Sequence, residues 1–310
     1  MTLISITSGC YNEEDNVEEL CERVKAVFSK LPEYDYEQII IDNCSTDSTV
    51  AVLKKIAEGD KRVKVILNTR NFGPERSGFH ALLQARGDAV IAMASDLQDP
   101  PELIPDFLEK WKEGFNVVLA VKRHTADSFG MRLLRSAYYR IVSSIADVDL
   151  VKDATGFGLY DKTFMEQVQH FDDQTLYVRG LISELGLSFA AIPFDKPARR
   201  RGVSKNNFLS LFDTAMLGIT SHSKLPLRLA TFSGFVIAIL SMLVSLVYLI
   251  YKFMHWYDFD AGVAPLVIGL FFFSAVQLFF IGIVGEYVST IHSHVLKRPR
   301  VVEKERINFE

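Results

Sequence analysis

The chain has 310 residues and a formal net charge of −4 at pH 7. This length suffices for one large domain, and the slightly acidic balance excludes a chain-wide basic surface for nucleic acid. The three cysteines, Cys10, Cys21 and Cys44, are too few and too scattered for a disulfide framework or a zinc site. We therefore expect reduced thiols in a cytosolic environment and no nucleic-acid partner.

The first half of the chain alternates short apolar segments with amphipathic ones. The apolar segments predict strands at 3–7, 38–41, 63–67, 89–93 and 116–121. The amphipathic segments predict a helix that begins at Asn12 and helices at about 47–58, 75–85 and 102–112. Residues 1–9 are thus a first strand rather than a signal peptide. This alternation is typical of an α/β fold with a mostly parallel sheet and helices on both faces.

Polar side chains follow each predicted strand. In mostly parallel sheets, ligands bind at the carboxyl ends of the strands, which meet at one edge of the sheet. We therefore expect these side chains to form one site. They are Tyr11 and Glu13 after the first strand, Asp42 after the second, Asn71 after the third, Asp96 and Gln98 after the fourth, and Arg123 after the fifth.

The last third of the chain contains two uncharged apolar segments, 229–251 and 261–285. Each is longer than the roughly 20 residues that a membrane-spanning helix needs. Basic residues cluster before the first segment and after the second, so the positive-inside rule predicts a hairpin of the inner (plasma) membrane over 226–289. The domain 1–225 and the basic tail 290–310 are then cytoplasmic. The alternative is that both segments are buried helices of a large soluble fold.

Two further segments, 128–145 and 207–221, are predicted to be helices that lie on the membrane surface. Basic side chains occur among the apolar residues of the first segment, and a basic loop precedes the second. Guanidinium groups suit phosphates, although the same residues can form a solvated face or touch anionic headgroups. They are Arg132, Arg135 and Arg140 in the first segment and Arg199, Arg201 and Lys205 in the loop.

Short motifs recur in a fixed order along nearly the whole chain. They are YNEE at 11–14, DNCSTD at 42–47, RNFG at 70–73, DLQDPP at 96–101 and GVSK at 202–205. Together they resemble glycosyltransferase family 2, and most closely its polyprenyl-phosphate glycosyltransferase branch. The resemblance implies a GT-A, Rossmann-like fold. Two motifs depart from the usual family forms, because DNCSTD replaces DDGSTD and Ala94 replaces the first Asp of D-x-D.

The resemblance implies roles at the donor side of the predicted site. Tyr11, Glu13, Asp42 and Asn71 would bind the nucleotide sugar, and the basic loop at 199–205 would fold over its phosphates. A carboxylate after a strand can instead form a helix cap or an Asx-turn, although Ser45 or Thr46 would fit a cap better than Asp42. Glu13 can instead be an acid in the first turn of a helix.

A divalent metal, Mg²⁺ or Mn²⁺, is the implied cofactor. Asp96 and Gln98 alternate along a predicted strand end, so both side chains can point the same way. Their hard oxygen atoms suit such a cation when a diphosphate completes its coordination. The metal would offset the charge that develops on the leaving diphosphate. We interpret Asp99, before two prolines, as a turn and helix start.

This sequence departs from the family pattern most clearly at the position of the catalytic base. Many relatives carry G-D-F-R-L, whereas here Gly156 takes the place of the Asp and Gly158 that of the Arg. Asp153 lies three residues earlier and is our candidate base, beside Asp96 as the second catalytic residue. The alternative is that no base acts, because a phosphate monoester with a second pKa of about 6 is largely a dianion in the cytosol. Arg123, Arg132, Arg135 and Arg140 would contact that lipid phosphate.

The combined prediction is an inverting glycosyltransferase that moves a hexose from a nucleotide diphosphate sugar, preferably a UDP-sugar, to polyprenyl (undecaprenyl) phosphate at the cytoplasmic membrane face. The resemblance also implies a homo-oligomer, a tetramer. One alternative is a catalytically silent membrane scaffold that binds nucleotide sugars, which Ala94 and Gly156 motivate. The other is a polysaccharide synthase, but neither Trp111 nor Trp256 lies in the expected Q-x-x-R-W motif.

Overall fold

The computed structural model describes residues 1–123, 154–171, 181–182, 185–197, 225–255, 263–296 and 298–309. The first part alternates strand and helix as predicted. Its elements are β1 (Thr2–Cys10), α1 (Val17–Phe28), β2 (Tyr34–Asp42), α2 (Thr49–Gly59), β3 (Val63–Asn68) and α3 (Pro74–Leu83). The next are β4 (Ala89–Ala92), a 3₁₀ turn (Pro101–Leu103), α4 (Ile104–Lys112) and β5 (Val117–Lys122). The five predicted strands are confirmed.

The remaining described elements surround the long C-terminal helices. They are β6 (Ala154–Asp161), α5 (Lys162–Gln169), β7 (Phe189–Phe194), α6 (Leu225–Met254), α7 (Val263–Val295) and β8 (Glu303–Ile307). Asp161 caps α5 by accepting a hydrogen bond from the backbone N–H of Phe164. The strands β6, β7 and β8 were not predicted from the sequence.

The strands of the described residues form one sheet in the order β7-β5-β6-β4-β1-β2-β3-β8. Strands β1 to β5 and β7 share one direction, while β6 and β8 run antiparallel to their neighbours. The predicted mostly parallel α/β sheet is therefore confirmed. The carboxyl ends of β1, β2, β3, β4 and β5 meet at one edge of this sheet.

Helices cover both faces of the sheet because the central strands are apolar on both faces. On one face Ile40 and Val65 pack with Leu53 of α2, and on the other Ile39 and Ile66 pack with Ala81 of α3. These side chains are fully buried. Burial of one such aliphatic side chain contributes about 1.5–3 kcal/mol to folding. The packed sheet is therefore a rigid base for the loops at its carboxyl edge.

Helices α6 and α7 expose their apolar side chains. They contain candidate membrane spans at Leu229–Met254 and Ile268–His292, with mean hydropathies of 2.4 and 2.2 and 0% of the tested residues buried. A buried helix of a soluble fold would hide these residues, so that alternative is wrong for both helices. By length and composition, both helices can cross a bilayer.

Strand β8 returns the chain from α7 to the sheet. It pairs antiparallel with β3, and Thr69 donates from its backbone N–H to the carbonyl of Val302 at 2.9 Å. Lys54 of α2 forms an ion pair with Glu305 at 2.7 Å. The predicted basic tail 290–310 therefore contains an edge strand of the domain that precedes the two apolar helices.

Candidate active site

The loops that follow β1 and β2 are hydrogen-bonded into one unit. The backbone N–H of Asn12 donates to Ser45 Oγ at 2.9 Å, and Asn12 Oδ1 accepts from the backbone N–H of Thr46 at 2.8 Å. The backbone N–H of Glu13 donates to Thr49 Oγ1 at 2.9 Å. These bonds place Tyr11 and Glu13 beside the end of β2, next to Asp42, as the sequence predicted.

Asp42 is buried and lies in a turn with Ser45. Its Oδ2 accepts from the backbone N–H of Ser45 at 3.0 Å, and its Oδ1 accepts from the Ser45 hydroxyl. An Asx-turn joins residues two apart, so this contact with the backbone three residues on is a different local turn from the one that was the alternative for this carboxylate. The proposed cap role of Ser45 or Thr46 is wrong, because α2 begins later, after an N-cap at Ser48.

Glu13 lies ahead of α1 rather than in its first turn. Asn12 has a φ of 56°, a left-handed conformation that a helix excludes, and α1 begins only at Val17. The prediction of a helix from Asn12 is therefore wrong, and so is the first-turn alternative for Glu13. The carboxylate of Glu13 instead accepts from Asn16 Nδ2 at 2.6 Å.

Cys10 is buried next to Asp42, and its thiol is unreactive. Its Sγ is 3.8 Å from Asp42 Oδ1 and 3.6 Å from the carbonyl oxygen of Ile41. Burial raises the pKa of this thiol well above its ordinary value, and the negative charge of Asp42 raises it further. Cys10 therefore stays protonated at neutral pH. The free thiols of all three cysteines agree with the prediction of reduced cysteines.

Asn43 links the end of β2 to the loop after β3. Its Nδ2 donates to Asn71 Oδ1 at 2.8 Å, and its Oδ1 accepts from the backbone N–H of Phe72 at 2.9 Å and from Ser77 Oγ at 2.8 Å. Asn71, a predicted donor-site residue, is thereby held next to β2. The sequence singled out DNCSTD as a departure from DDGSTD, but Asn43 was not selected as a site residue.

Asp96 and Gln98 share a turn rather than a strand. β4 ends at Ala92, and Leu97 has a φ of 60°, so the predicted alternation along a strand end is wrong. Asp96 Oδ1 accepts from the backbone N–H of Gln98 at 3.1 Å. Ser95 Oγ donates to the carbonyl of Gly9 at 2.9 Å, which ties this turn to β1. The two predicted metal ligands therefore lie in one tight turn next to the other loops.

The donor atoms of this turn fit a cation that is shared with a substrate. Gln98 Nε2 donates to the carbonyl of Pro197 at 3.1 Å, so its Oε1 is the atom that it can offer to a metal. Within the described part of the chain, no group of three or more His, Cys, Asp or Glu residues can hold a metal ion. One carboxylate and one amide oxygen leave most coordination positions to phosphate oxygens and water, which is typical of Mg²⁺.

Asp99 is more than the turn residue that the sequence predicted. Its Oδ2 accepts from the backbone N–H of Ala94 at 2.9 Å, and its Oδ1 is buried and has no hydrogen-bond partner among the described residues. Burial raises the pKa of Asp99, and the hydrogen bond from Ala94 opposes that rise. A buried carboxylate therefore supports the backbone at Ala94, where the family has an acidic side chain. The 3₁₀ turn begins at Pro101, which agrees with the predicted helix start.

Gly156 and Gly158, which replace the family's Asp and Arg, occupy special backbone positions in β6. Gly156 has a φ of 85°, none of the described residues beyond its chain neighbours lies within 4 Å of a Cβ built on it, and its carbonyl accepts from Tyr160 Oη at 3.0 Å. Gly158 lies between β4 and β5, where a Cβ atom would be 2.3 Å from the carbonyl oxygen of Val118. Position 158 therefore has no room for any side chain.

The remaining predicted site residues divide into two groups. Arg123 lies at the carboxyl edge, where its backbone N–H donates to the carbonyl of Phe194 at 2.9 Å. The others lie outside the described residues, as do the predicted surface helices 128–145 and 207–221. These residues are Arg132, Arg135, Arg140, Asp153, Arg199, Arg201 and Lys205.

Comparison with known proteins places this fold and site in context. The model of the family described as Glycosyl transferase family 2 matches residues 5–169. A putative glycosyltransferase, CsbB of Bacillus subtilis, is 33% identical over 306 residues, which are 98% of this chain and 92% of that protein. The prophage-derived bactoprenol glucosyl transferase of Shigella flexneri is 32% identical over 304 residues, or 97% of each chain.

A solved structure extends the similarity to the fold. Glucosyl-3-phosphoglycerate synthase from Mycobacterium tuberculosis superposes with a TM-score of 0.50 and 20% identity. The match covers 71% of this chain and 78% of that protein. The polar carboxyl edge described above is therefore built on a sheet that this enzyme shares, whereas the similarity over nearly the full chain is with the two glycosyltransferases named before it.

Proposed function

Because the chain belongs to glycosyltransferase family 2, we propose that it transfers a hexose, with glucose favoured, from a UDP-sugar to a polyprenyl phosphate such as undecaprenyl phosphate. One observation carries this proposal. The polar carboxyl edge of a glycosyltransferase sheet and two exposed apolar helices occur in the same chain. Relatives named bactoprenol glucosyl transferase match that whole arrangement rather than the enzyme domain alone, which supports a lipid acceptor.

The donor would bind across the ends of β1, β2 and β3. Tyr11 and Glu13 would frame the base and ribose, with Asp42 beneath them and Asn71 at the neighbouring loop. The hydrogen bonds of Asn12 to Ser45 and Thr46 hold the first two loops in place before the donor arrives. Such preorganisation lowers the entropic cost of binding. Arg199, Arg201 and Lys205 would close over the diphosphate.

The reaction we propose is one in-line displacement. An oxygen of the lipid phosphate attacks the anomeric carbon, the bond from that carbon to the diphosphate oxygen breaks, and the electron pair leaves with UDP. The anomeric configuration is inverted. Asp96 and Gln98 would hold Mg²⁺ or Mn²⁺, which supplies positive charge for the departing diphosphate when it is bound. The acceptor phosphate is already ionised, so positioning by Arg123, Arg132, Arg135 and Arg140 matters more than deprotonation. Asp153 remains the candidate base.

Strand β8 supports the membrane orientation that we propose. Residues 303–307 pair with β3 of the domain that precedes α6, so the chain before α6 and the chain after α7 lie on the same side of any bilayer that the two helices cross. Val295 and Glu303 are eight residues apart (303 − 295), so the connection spans at most about 29 Å. The sheet edge therefore stays close to the bilayer, where a lipid phosphate is accessible. With the three free cysteines and the basic flanks, this favours a cytoplasmic site at the inner membrane.

The metal role of Asp96 provides the test of this site. We expect Asp96→Asn to lower kcat for hexose transfer by at least about 100-fold, because a neutral amide binds a hard divalent cation poorly. The matched control is Asp106→Asn, which removes an exposed carboxylate on α4. Purified full-length protein would be assayed with UDP-glucose, undecaprenyl phosphate and Mg²⁺, Mn²⁺ or EDTA. Full activity of Asp96→Asn, or full activity of the wild type in EDTA, would contradict the proposed metal site.

A further inference from the structure

Asn43 is the first residue after β2, and its side chain is buried at the centre of the donor side. Only 4% of the residue is exposed. Its backbone N–H donates to the carbonyl of Cys10 at 2.9 Å, which fixes its position relative to β1. From this anchored position the side chain points towards the loop 70–73 after β3. Asn43 thus lies between the part of the edge that Asp42 occupies and the part that Asn71 occupies.

The amide of Asn43 uses both its oxygen and its nitrogen. In addition to Phe72 N–H and Ser77 Oγ, the oxygen accepts from Asn68 Nδ2 at 3.3 Å, so it has three donors. The nitrogen donates to Asn71 Oδ1. One buried side chain therefore connects the ends of β2 and β3, the backbone of the loop 70–73 and the first turn of α3.

The loop depends on these bonds because it has no regular backbone structure. Gly73 has a φ of 88°, and the backbone N–H groups of Phe72 and Gly73 donate to the side chains of Asn43 and Asn71. Removal of the Asn43 amide would leave the half-buried N–H of Phe72 and the hydroxyl of the buried Ser77 without this acceptor. An unsatisfied buried polar group costs about 1–3 kcal/mol, which is enough to displace a short loop.

Asn71 is oriented by the same network. Its Oδ1 accepts from Asn43 Nδ2 and from the backbone N–H of Gly73 at 2.9 Å. Because both of those partners are donors, the oxygen of Asn71 must face them. Its Nδ2 is then the group that can meet a ligand, and it can only donate a hydrogen bond. The ligand atom opposite Asn71 must therefore be an acceptor, such as a carbonyl, ribose or phosphate oxygen.

We propose that Asn43 is a positioning residue for the donor, which holds the loop 70–73 so that Asn71 Nδ2 donates to an oxygen of the nucleotide sugar. This inference rests on the proposed function, because it assumes a nucleotide-sugar donor at the carboxyl edge. It assigns a role to the Asn in DNCSTD, where the family pattern has Asp. An Asp at this position would keep the acceptor for Phe72 and Ser77 but would lose the donor for Asn71.

The test compares Asn43→Ala with the conservative Asn43→Asp. We expect Asn43→Ala to raise the KM for UDP-glucose and the Kd for UDP by about tenfold or more, with kcat changed less than threefold. Asn43→Asp keeps the acceptor for Phe72 and Ser77 but loses the donor to Asn71, so its Tm should lie closer to that of the wild type than the Tm of Asn43→Ala, while its UDP binding stays weakened. UDP affinity would be measured by calorimetry on full-length protein, separately from transfer to undecaprenyl phosphate. If the wild type binds UDP but transfers no sugar, the proposed function fails while the Kd ranking still tests Asn43.

Two further variants keep the proposal falsifiable if Asn43→Ala folds poorly. Ser77→Ala removes one bond of the network on the α3 side, and we expect it to lower Tm with little change in the Kd for UDP. Asn71→Asp keeps the acceptor for Asn43 and Gly73 but presents a carboxylate to the ligand oxygen, so it should weaken UDP binding at least tenfold. Unchanged UDP affinity in Asn71→Asp would overturn the proposal. So would an Asn43→Asp or an Asn43→Ala variant that binds UDP like the wild type.

Discussion

At the scale of single residues, unusual backbone conformations mark the candidate site. Asn12, Cys44 and Leu97 have φ values of 56°, 64° and 60°, and they lie in the loops after β1, β2 and β4. A non-glycine residue in this region costs about 1–3 kcal/mol, which the surrounding hydrogen bonds must outweigh. Such strain at three neighbouring loops is what a preorganised site requires. The left-handed residues also explain why the predicted helix start at Asn12 and the predicted strand at Asp96–Gln98 were wrong. The periodicity of apolar residues does not reveal a left-handed backbone conformation.

Gly156 tests whether transfer needs a base at the family position. None of the described residues beyond its chain neighbours lies within 4 Å of a Cβ built on this residue, so they leave room for the side chain of Gly156→Asp. Its φ of 85° would make the substitution cost about 1–2 kcal/mol. We expect kcat to be the same in Gly156→Asp and in Gly156→Ala, which carries the same backbone strain without a carboxylate. A kcat several-fold higher for Gly156→Asp between pH 6 and 8 would show that an added base helps and would contradict an acceptor that is already ionised.

At the scale of secondary-structure elements, the sequence predicts the parallel half of the sheet well. The strands β1 to β5 are apolar on both faces, so their periodicity and turn residues define them. This apolar pattern does not define the other three strands. β6 contains Gly156 and Gly158, β7 lies at an exposed edge of the sheet, and β8 has the sequence EKERI. Strand β8 is a strand only because β3 offers an unpaired edge, which is a tertiary cause. The site residues on the first four loops were therefore predictable, while the network around Asn43 was not.

Strand β8 is held by a charged cluster whose strength depends on pH. His80 Nε2 lies 2.5 Å from Glu303 Oε1, and Arg306 Nη2 lies 2.6 Å from the same oxygen. The hydrogen bond from Arg306 lowers the pKa of Glu303, partial burial opposes this, and His80 lowers the pKa again. Because the folded pKa lies below the unfolded value of about 4.3, the stabilisation is present above that pH and is lost as the pH falls through the folded pKa.

Replacement of Glu303 should therefore reveal this dependence. We expect Glu303→Gln to lower the free energy of unfolding by about 1 kcal/mol or less at pH 7, and the difference from the wild type should shrink as the pH falls below about 4.3. Thermal unfolding of detergent-solubilised protein between pH 3.5 and 8 measures it. Glu305→Gln is the matched control, because its pair with Lys54 is about 42% exposed and should contribute less. An equal difference at every pH would refute a role for the Glu303 charge.

At the scale of the whole molecule, strand β8 closes the chain into a loop that starts and ends at one sheet. The two apolar helices leave the domain after residue 224 and return through 298–302 to β3. The pair of apolar helices is thus joined to the domain that carries the donor site both before α6 and after α7. This arrangement suits an enzyme that takes one substrate from water and the other from the lipid surface. The distribution of basic residues and the pairing of β8 with β3 are independent observations. Both favour a topology in which the chain before α6 and the chain after α7 lie on the same side of the membrane.

That topology predicts which cysteine variants react with a reagent that does not cross membranes. In intact cells, a maleimide of this kind should label Asp258→Cys, in the link between the helices, and should not label Lys304→Cys. Both variants would be built on Cys44→Ala, because Cys10 and Cys21 are buried. Lys304 is exposed on β8, so it should react once the membrane is opened with detergent. Labelling of Lys304→Cys in intact cells would contradict the proposed orientation.

The most direct test of the central claim is transfer of radiolabel from UDP-glucose to undecaprenyl phosphate by the purified full-length chain with Mg²⁺, with undecaprenol as the acceptor control. With undecaprenyl phosphate we expect a labelled product that is extracted with the lipid. With undecaprenol we expect no product, because the phosphate oxygen is the nucleophile. Tight UDP binding without any labelled lipid, for UDP-glucose and for a panel of other UDP- and GDP-sugars, would contradict the enzyme and favour a membrane scaffold that binds nucleotide sugars.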